Sequence, residues 1–129
     1  MSKDWVEDIN RMHNYYDMHS KFDSFDDEKK KKFLEFRINF LQEELDELKN
    51  NTNNPEEIVD ALIDLCVVAI GTLDAFSIDS HKAWDEVLRA NMSKRVGIKP
   101  GRPNPLGLPD LMKPEGWQAP SHKGNYGNL

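Results

Sequence analysis

Three glutamates, Glu43, Glu44 and Glu47, are spaced so that they share one face of a helix. At about 100° per residue they span roughly 100° of arc, and like charges one turn apart repel each other by about 0.2–0.5 kcal/mol. Phe36 and Phe40 precede them, so the carboxylates are expected to overlook a groove with an aromatic floor. For this group alone, a solvated helix surface is the simpler interpretation.

A second acidic group, Glu57, Asp60 and Asp64, occupies positions i, i+3 and i+7 of the next helical segment, within roughly 60° of arc. Glu57 alone is explained as a residue that stabilises a helix N-terminus. Asp64 lies beside Leu62 and Ile63, where an unpaired buried carboxylate costs several kcal/mol. A metal ion would offset that cost.

The two acidic groups together favour a site for a divalent cation. If their helices pack antiparallel, the carboxylates face each other, and Arg37 is the nearest basic candidate to neutralise them. Carboxylate oxygens suit Mg²⁺, with Mn²⁺ as the alternative, whereas Zn²⁺ would require a Cys/His cluster. Substrate phosphates commonly complete a Mg²⁺ site. Asn91 and Lys94, one turn apart, could reach such a phosphate. For Lys94 alone, complementing the dipole at the end of a helix is the simpler interpretation.

Four helices are expected to position these residues, because apolar residues recur at intervals of three and four. They cover approximately residues 3–18, 27–50, 55–76 and 80–93, with a polar loop around 20–26. The clearest start is Asn54 as N-cap, followed by Pro55 at the first helical position. The third helix is apolar on nearly all sides, so a second subunit is expected to cover part of it.

Composition predicts one folded domain, over 1–96, followed by an arm over 97–129 that is rich in Pro and Gly. Scattered apolar residues, Trp117 among them, favour an ordered arm. The net charge of −6 argues against a uniformly basic nucleic-acid-binding protein. The lone cysteine, Cys66, allows no internal disulfide, and neither a signal peptide nor a membrane span is recognisable. These features predict a cytoplasmic protein.

Three segments, 43–47, 60–65 and 91–94, resemble the all-α nucleoside triphosphate pyrophosphohydrolases of the MazG type, and in particular their compact phage-encoded branch. The signature of that family is Glu-Glu-x-x-Glu on one helix and Glu-x-x-Asp on the next. Ala61 stands where the second motif has glutamate, so either Glu57 or Asp60 would replace it. The resemblance implies a four-helix, MazG-like bundle that is completed by oligomerisation, as a homodimer or homotetramer.

The resemblance also implies cleavage of a nucleoside triphosphate between its α- and β-phosphates, giving a monophosphate and pyrophosphate. The implied roles divide the candidate residues into three classes. The metal ligands are Glu44, Glu47, Asp60 and Asp64; the catalytic residues are Glu43, Glu44 and Glu47, with Glu43 as base or further ligand; the substrate-binding residues are Asn91, Lys94, Arg37 and His13. Trp5 and Phe40 are further candidates for the base pocket. The implied setting is the cytoplasm, that of the host if the protein is phage-encoded.

Two alternative functions are compatible with the same residues. The metal ligands do not distinguish a nucleoside triphosphate pyrophosphohydrolase from a dUTPase-like enzyme or a phosphoribosyl-ATP pyrophosphatase, because the residues that select the substrate contact its base. A helical oligomer without catalytic activity, acting as a binding module through its arm, is the alternative from another class. Hydrolysis of alarmones related to guanosine tetraphosphate rests on family association alone.

Overall fold

The computed structural model describes residues 3–101 and 104–129 and is mainly helical. Within those residues the elements are α1 (Trp5–Tyr15), α2 (Met18–Asp23), α3 (Asp27–Asn50), α4 (Pro55–Ala75), α5 (Ser80–Met92), β1 (Arg95–Gly97) and β2 (Asp110–Met112). The predicted all-α fold class is confirmed, while the predicted oligomerisation stays a prediction. The two strands form only a short antiparallel hairpin.

Side-chain caps define the starts of three helices. The side chains of Asp4, Asp26 and Asn54 each accept a hydrogen bond from the backbone N–H three residues later, at 3.1, 2.8 and 3.3 Å. Such a bond satisfies one of the N–H groups that a helix N-terminus leaves without a partner. The predicted start at Asn54 and Pro55 is confirmed, and α3 covers the predicted range 27–50.

The predicted first helix, over 3–18, is wrong at its end, and the loop expected around 20–26 is largely helical. Asp17 adopts a left-handed conformation with φ of 55°, which separates α1 from α2. The side chain of Phe22 on α2 is only 2% exposed, and its ring packs against Phe33 of α3 and against Phe76, 54 positions later. Local polarity therefore gave the wrong prediction where a tertiary contact decides the structure.

An aromatic core joins α2, α3 and the end of α4. The ring of Phe22 lies 5.0 Å from that of Phe33 and 5.1 Å from that of Phe76, both in edge-to-face arrangements. Such pairs contribute about 0.5–1.5 kcal/mol beyond the burial of their surface. The partly buried residues around this core are Met18, Phe25, Leu34 and Ile78.

The chain forms two compact units. The first contains residues up to Ser80 together with Tyr126–Leu129, and the second contains His81–Asn125. In the first unit α4 packs against both α3 and α1. The last residues join this unit through the backbone N–H of Asn128, which donates to the carbonyl oxygen of Phe76 at 2.8 Å.

In the second unit the segment after β2 lies against α5. The indole Nε1–H of Trp117 donates to the carbonyl oxygen of Ala90 at 2.8 Å. The backbone N–H of Ser121 donates to Glu86 at 3.0 Å. These two hydrogen bonds hold the segment against α5. The predicted domain boundary at residue 97 falls at the end of β1 and stays a prediction.

Helix α4 keeps several large apolar side chains exposed. Val59, Leu62 and Ile63 are 62%, 47% and 45% exposed, on the helix that the sequence described as apolar on nearly all sides. Among the described residues no single helix is long and apolar enough to cross a membrane; only α4 and α5 taken together, as a bent pair, meet that criterion by length and composition.

Candidate active site

Carboxylates from α3 and α4 meet in the first unit. Glu44 and Glu47 lie one turn apart on α3, and Asp60 and Asp64 lie one turn apart on α4. The charges of the other three all act on the carboxyl group of Glu44. The helices are packed together and joined by the short connection 51–54, so the two acidic pairs come from two neighbouring helices.

Glu44 is the central residue of this group. Burial raises the pKa of its carboxyl, and the charges of Asp64 and Glu47, a hydrogen-bonding contact with Glu47, and the charge of Asp60 raise it further. Its Oε2 atom is buried and has no hydrogen-bond partner in the part of the chain that the structure describes. A buried carboxylate oxygen without a partner is unfavourable, and a cation is one group that could satisfy it.

The remaining glutamates lie differently. Glu43 is exposed, and its charge is not among those that raise the pKa of Glu44. Glu57 is also absent from those charges; it lies in the first turn of α4, where its backbone N–H donates to the Asn54 cap. Of the two residues that could replace the missing family glutamate, only Asp60 contributes to the electrostatic environment of Glu44.

Arg37 is bound to the backbone and a hydroxyl of α4 rather than to a carboxylate. Its Nε donates to Thr72 Oγ1 at 3.0 Å, and its Nη2 donates to the carbonyl oxygen of Val68 at 3.1 Å. The guanidinium also lies over the rings of Phe33 and Phe40, at 5.6 and 5.9 Å from their centroids. Partial burial lowers its pKa from the ordinary value. Arg37 therefore links α3 to α4 through these two hydrogen bonds.

His13 belongs to a polar cluster at the other end of α4. Its Nδ1 lies 2.6 Å from Oδ2 of Asp74, and Nε2 of His19 lies 2.8 Å from the same oxygen. Asn10 Nδ2 donates to Oδ1 of Asp74 at 2.9 Å. His13 is only 5% exposed. Asp74 follows Asp64 by ten residues, which corresponds to about 15 Å along a helix, so this cluster is separate from the carboxylates around Glu44.

Asn91 and Lys94 lie in the second unit. The backbone N–H of Lys94 donates to the carbonyl oxygen of Asn91 at 3.2 Å, immediately after α5. The ammonium group of Lys94 lies 5.3 Å from the centroid of the Trp117 ring, and Lys113 lies 5.1 Å from the same centroid. This cation–π contact gives Lys94 a partner that the sequence did not predict.

Sequence reasoning missed His19, Asp74 and Asn10. A signal for Asp74 was present, because it interrupts the same apolar run as Asp64 and needs an explanation for the same reason. His19 fell at the edge of the expected loop. Nothing local indicates that a residue of α2 contacts one 55 positions later.

A comparison with protein-family models gives a match. The family model described as phosphoribosyl-ATP pyrophosphohydrolase matches residues 16–91. No curated protein and no solved structure matches the chain. The matched region runs from the end of α1 to the end of α5 and contains Glu44, Glu47, Asp60 and Asp64. Since the match covers more than half of the chain, this protein belongs to the phosphoribosyl-ATP pyrophosphohydrolase family, within the MazG-like all-α superfamily of pyrophosphohydrolases that act on nucleotides.

Proposed function

We propose that the protein is a Mg²⁺-dependent nucleoside triphosphate pyrophosphohydrolase that cleaves between the α- and β-phosphates. The observation that carries this proposal is the buried Oε2 of Glu44, which has no hydrogen-bond partner among the described residues. The charges of three further carboxylates raise the pKa of the same carboxyl group. Carboxylate oxygens are the ligands that Mg²⁺ prefers, with Mn²⁺ as the alternative. The donor set therefore fits the ion that this chemistry needs.

Glu44, Glu47, Asp60 and Asp64 would hold the ion. Among the described residues, no three of these carboxylates have ligand atoms within 4.8 Å of one another, whereas the cluster around Asp74 does. Because Mg²⁺ binds oxygen at about 2.0–2.1 Å, one or two of these carboxylates would contact the ion directly, and waters and substrate phosphates would complete its coordination shell. Bound there, the ion would offset negative charge on the phosphates.

Glu43 is assigned the role of general base for the attacking water. It lies on α3 one turn before Glu47 and is exposed, so water can reach it. A positioned carboxylate that accepts a proton from water contributes typically about 10²–10⁴-fold to a rate. Asn91 and Lys94 are assigned to phosphate binding. To bind the anion, the ammonium group of Lys94 would leave its cation–π contact with the Trp117 ring. The substrate-binding roles of Arg37 and His13 stay predictions; in the structure Arg37 contacts Val68 and Thr72, and His13 contacts Asp74.

Activity on a nucleotide panel tests the proposal directly. The panel contains the common ribo- and deoxyribonucleoside triphosphates, dUTP and phosphoribosyl-ATP, the last because the matched family model carries that name. Pyrophosphate release is expected from at least one of them in the presence of Mg²⁺. Glu47→Gln and Asp64→Asn should abolish release and leave the far-UV circular dichroism unchanged, while Glu56→Gln, an exposed carboxylate on α4, should retain it.

Thermal stability separates this function from the non-catalytic alternative. A cation that binds the folded chain at 100 times its dissociation constant adds about 2.7 kcal/mol of stability. Mg²⁺ should therefore raise Tm for the unaltered chain and not for Asp64→Asn. If no substrate releases pyrophosphate and Mg²⁺ leaves Tm unchanged, the protein is better regarded as a binding module.

A second copy of the chain is the proposed partner for the apolar side chains left exposed on the first unit. Val59, Leu62 and Ile63 on α4, with Phe36 and Ile38 on α3, are all at least 45% exposed. Apolar surfaces of this kind are typical of subunit interfaces. Light scattering after size-exclusion chromatography should give a dimer or tetramer, and Leu62→Asp should give a smaller species. The phage-encoded origin and cytoplasmic location stay predictions.

A further inference from the structure

Three potential ligands from three helices converge at the end of α4 that lies far from Glu44. His13 comes from α1, His19 from α2 and Asp74 from α4. One ligand atom of each lies within 4.8 Å of the other two. Both ring nitrogens approach the same oxygen, Oδ2 of Asp74, at 2.6 and 2.8 Å.

The burial of the cluster differs from one side to the other. His13 is 5% exposed and Asp74 is 9% exposed. The side chain of His19 is 25% exposed, so solvent reaches the cluster from α2. A site closed on two sides and open on the third can take up an ion from solution and retain a water in its coordination shell.

The ligand types indicate which ion would bind. Two imidazole nitrogens and one carboxylate oxygen suit Zn²⁺ and its neighbours in the first transition series, while Mg²⁺ prefers oxygen alone. Asn10 supports this assignment, because its Nδ2 donates to the other carboxylate oxygen, Oδ1, at 2.9 Å and fixes the orientation of Asp74. Hydrogen bonds of this kind to a ligating carboxylate are common around protein-bound metals.

We propose that His13, His19 and Asp74 bind a divalent transition-metal ion of the Zn²⁺ class, at a site distinct from the carboxylates around Glu44. The proposal does not depend on the proposed pyrophosphohydrolase activity. The ion would connect α1, α2 and α4.

Small movements convert the hydrogen-bonded cluster into a coordination site. Around a tetrahedral ion with bonds of about 2.0–2.1 Å, ligand atoms lie about 3.3 Å apart, so the two short distances to Asp74 must open by several tenths of an ångström. A neutral imidazole binds a metal through its lone pair. The proton at Nδ1 of His13 would therefore move to Nε2, and that at Nε2 of His19 to Nδ1, with no net change in charge.

Co²⁺ is the probe that reports coordination directly. The full chain carrying Glu47→Gln, which weakens the carboxylate site, is titrated with Co²⁺ while visible absorption is recorded. One ion per chain should give the intense d–d bands of a low-symmetry, nitrogen-containing site, and Zn²⁺ should displace it. Zn²⁺ should also raise Tm in the same protein.

Variants assign that signal to the cluster. His19→Asn changes the most exposed ligand and is expected to fold, so loss of the Co²⁺ bands in this variant supports the site. Asn10→Ala should weaken binding by roughly 10–100-fold. His81→Asn, an exposed histidine of α5, serves as the matched control and should retain full binding. Absence of the bands in the Glu47→Gln protein, or their persistence in His19→Asn, would overturn the proposal.

Discussion

Arg37 on α3 donates through Nη2 to the carbonyl oxygen of Val68 on α4, at 3.1 Å. The guanidinium lies close to Gly71, where a Cβ atom would come within 2.5 Å of Nη2 and 3.4 Å of the His13 ring. This glycine, near the C-terminal end of α4, therefore leaves room for the arginine that joins the two helices.

The first prediction is that the effect of Gly71→Ala on stability changes sign when Arg37 is replaced. Gly71→Ala should destabilise the protein by about 1–3 kcal/mol, because the new methyl displaces Arg37 from Val68. In an Arg37→Met background the same substitution should stabilise by up to about 1 kcal/mol, since alanine is the better helix former. Urea unfolding of the four proteins of this cycle measures both values. Equal effects in the two backgrounds would mean that Arg37 does not determine the cost.

The second prediction concerns the pH dependence of the metal-free protein. The pKa of Glu44 is raised in the fold, so its contribution to stability is fully present below the unfolded pKa and is lost as pH rises through the raised value. In EDTA, the free energy of unfolding should therefore fall as pH rises across this window. Glu44→Gln should flatten that fall, as measured by urea unfolding between about pH 4 and about pH 8.

Glu43→Gln is the control for this pH dependence, because Glu43 is exposed on the same helix. It should leave the curve unchanged. Parallel curves for the unaltered chain and Glu44→Gln would contradict the electrostatic description of the site.

The third prediction is that the contact between the arm and α5 weakens at acidic pH. Arg89, through a hydrogen bond, and the backbone N–H of Ser121 lower the pKa of Glu86 to about 2. A lowered pKa contributes stability above the unfolded pKa that is lost as pH falls towards the folded value. The backbone N–H of Ser121 should therefore exchange with solvent faster as pH falls from about 4.3 towards about 2, after correction for the intrinsic exchange rate.

Glu86→Gln should remove this pH dependence of Ser121 protection by making exchange faster already at neutral pH. Asp85→Asn, the exposed neighbour on α5, is the comparison that should leave protection intact. Hydrogen exchange followed by NMR gives both rates in one experiment. Unchanged protection in Glu86→Gln would show that this carboxylate does not hold the arm.

The fourth prediction concerns Trp117. Trp117→Phe removes the hydrogen bond to Ala90 and leaves a ring for Lys94, at a cost of about 1 kcal/mol. Trp117→Ala removes both contacts, so limited proteolysis within residues 97–125 should be fastest in this variant and intermediate in Trp117→Phe. Trp84→Phe, at a tryptophan 69% exposed, should behave like the unaltered chain. Equal cleavage rates in all four proteins would mean that the arm is held elsewhere.

Local patterns predicted α3 and the start of α4 because caps and helical periodicity act within a few residues. They also identified the carboxylates whose charges act on Glu44, since Asp64 is out of place in an apolar helix. They missed α2 and the cluster at Asp74, which depend on contacts between residues 54 to 64 positions apart. The spacing of apolar residues along the sequence does not indicate such distant contacts.

The ring contact between Phe22 and Phe76 has a consequence for the order in which the chain folds. A helix of six residues is too short to be stable alone, so α2 is expected to form only when Phe22 packs against its aromatic partners. Closing the long loop between these two rings costs more entropy than closing the short connection between α3 and α4. The α3–α4 hairpin is therefore expected to form early, and α2 to dock last, bringing His19 to Asp74 as one of the final events of folding.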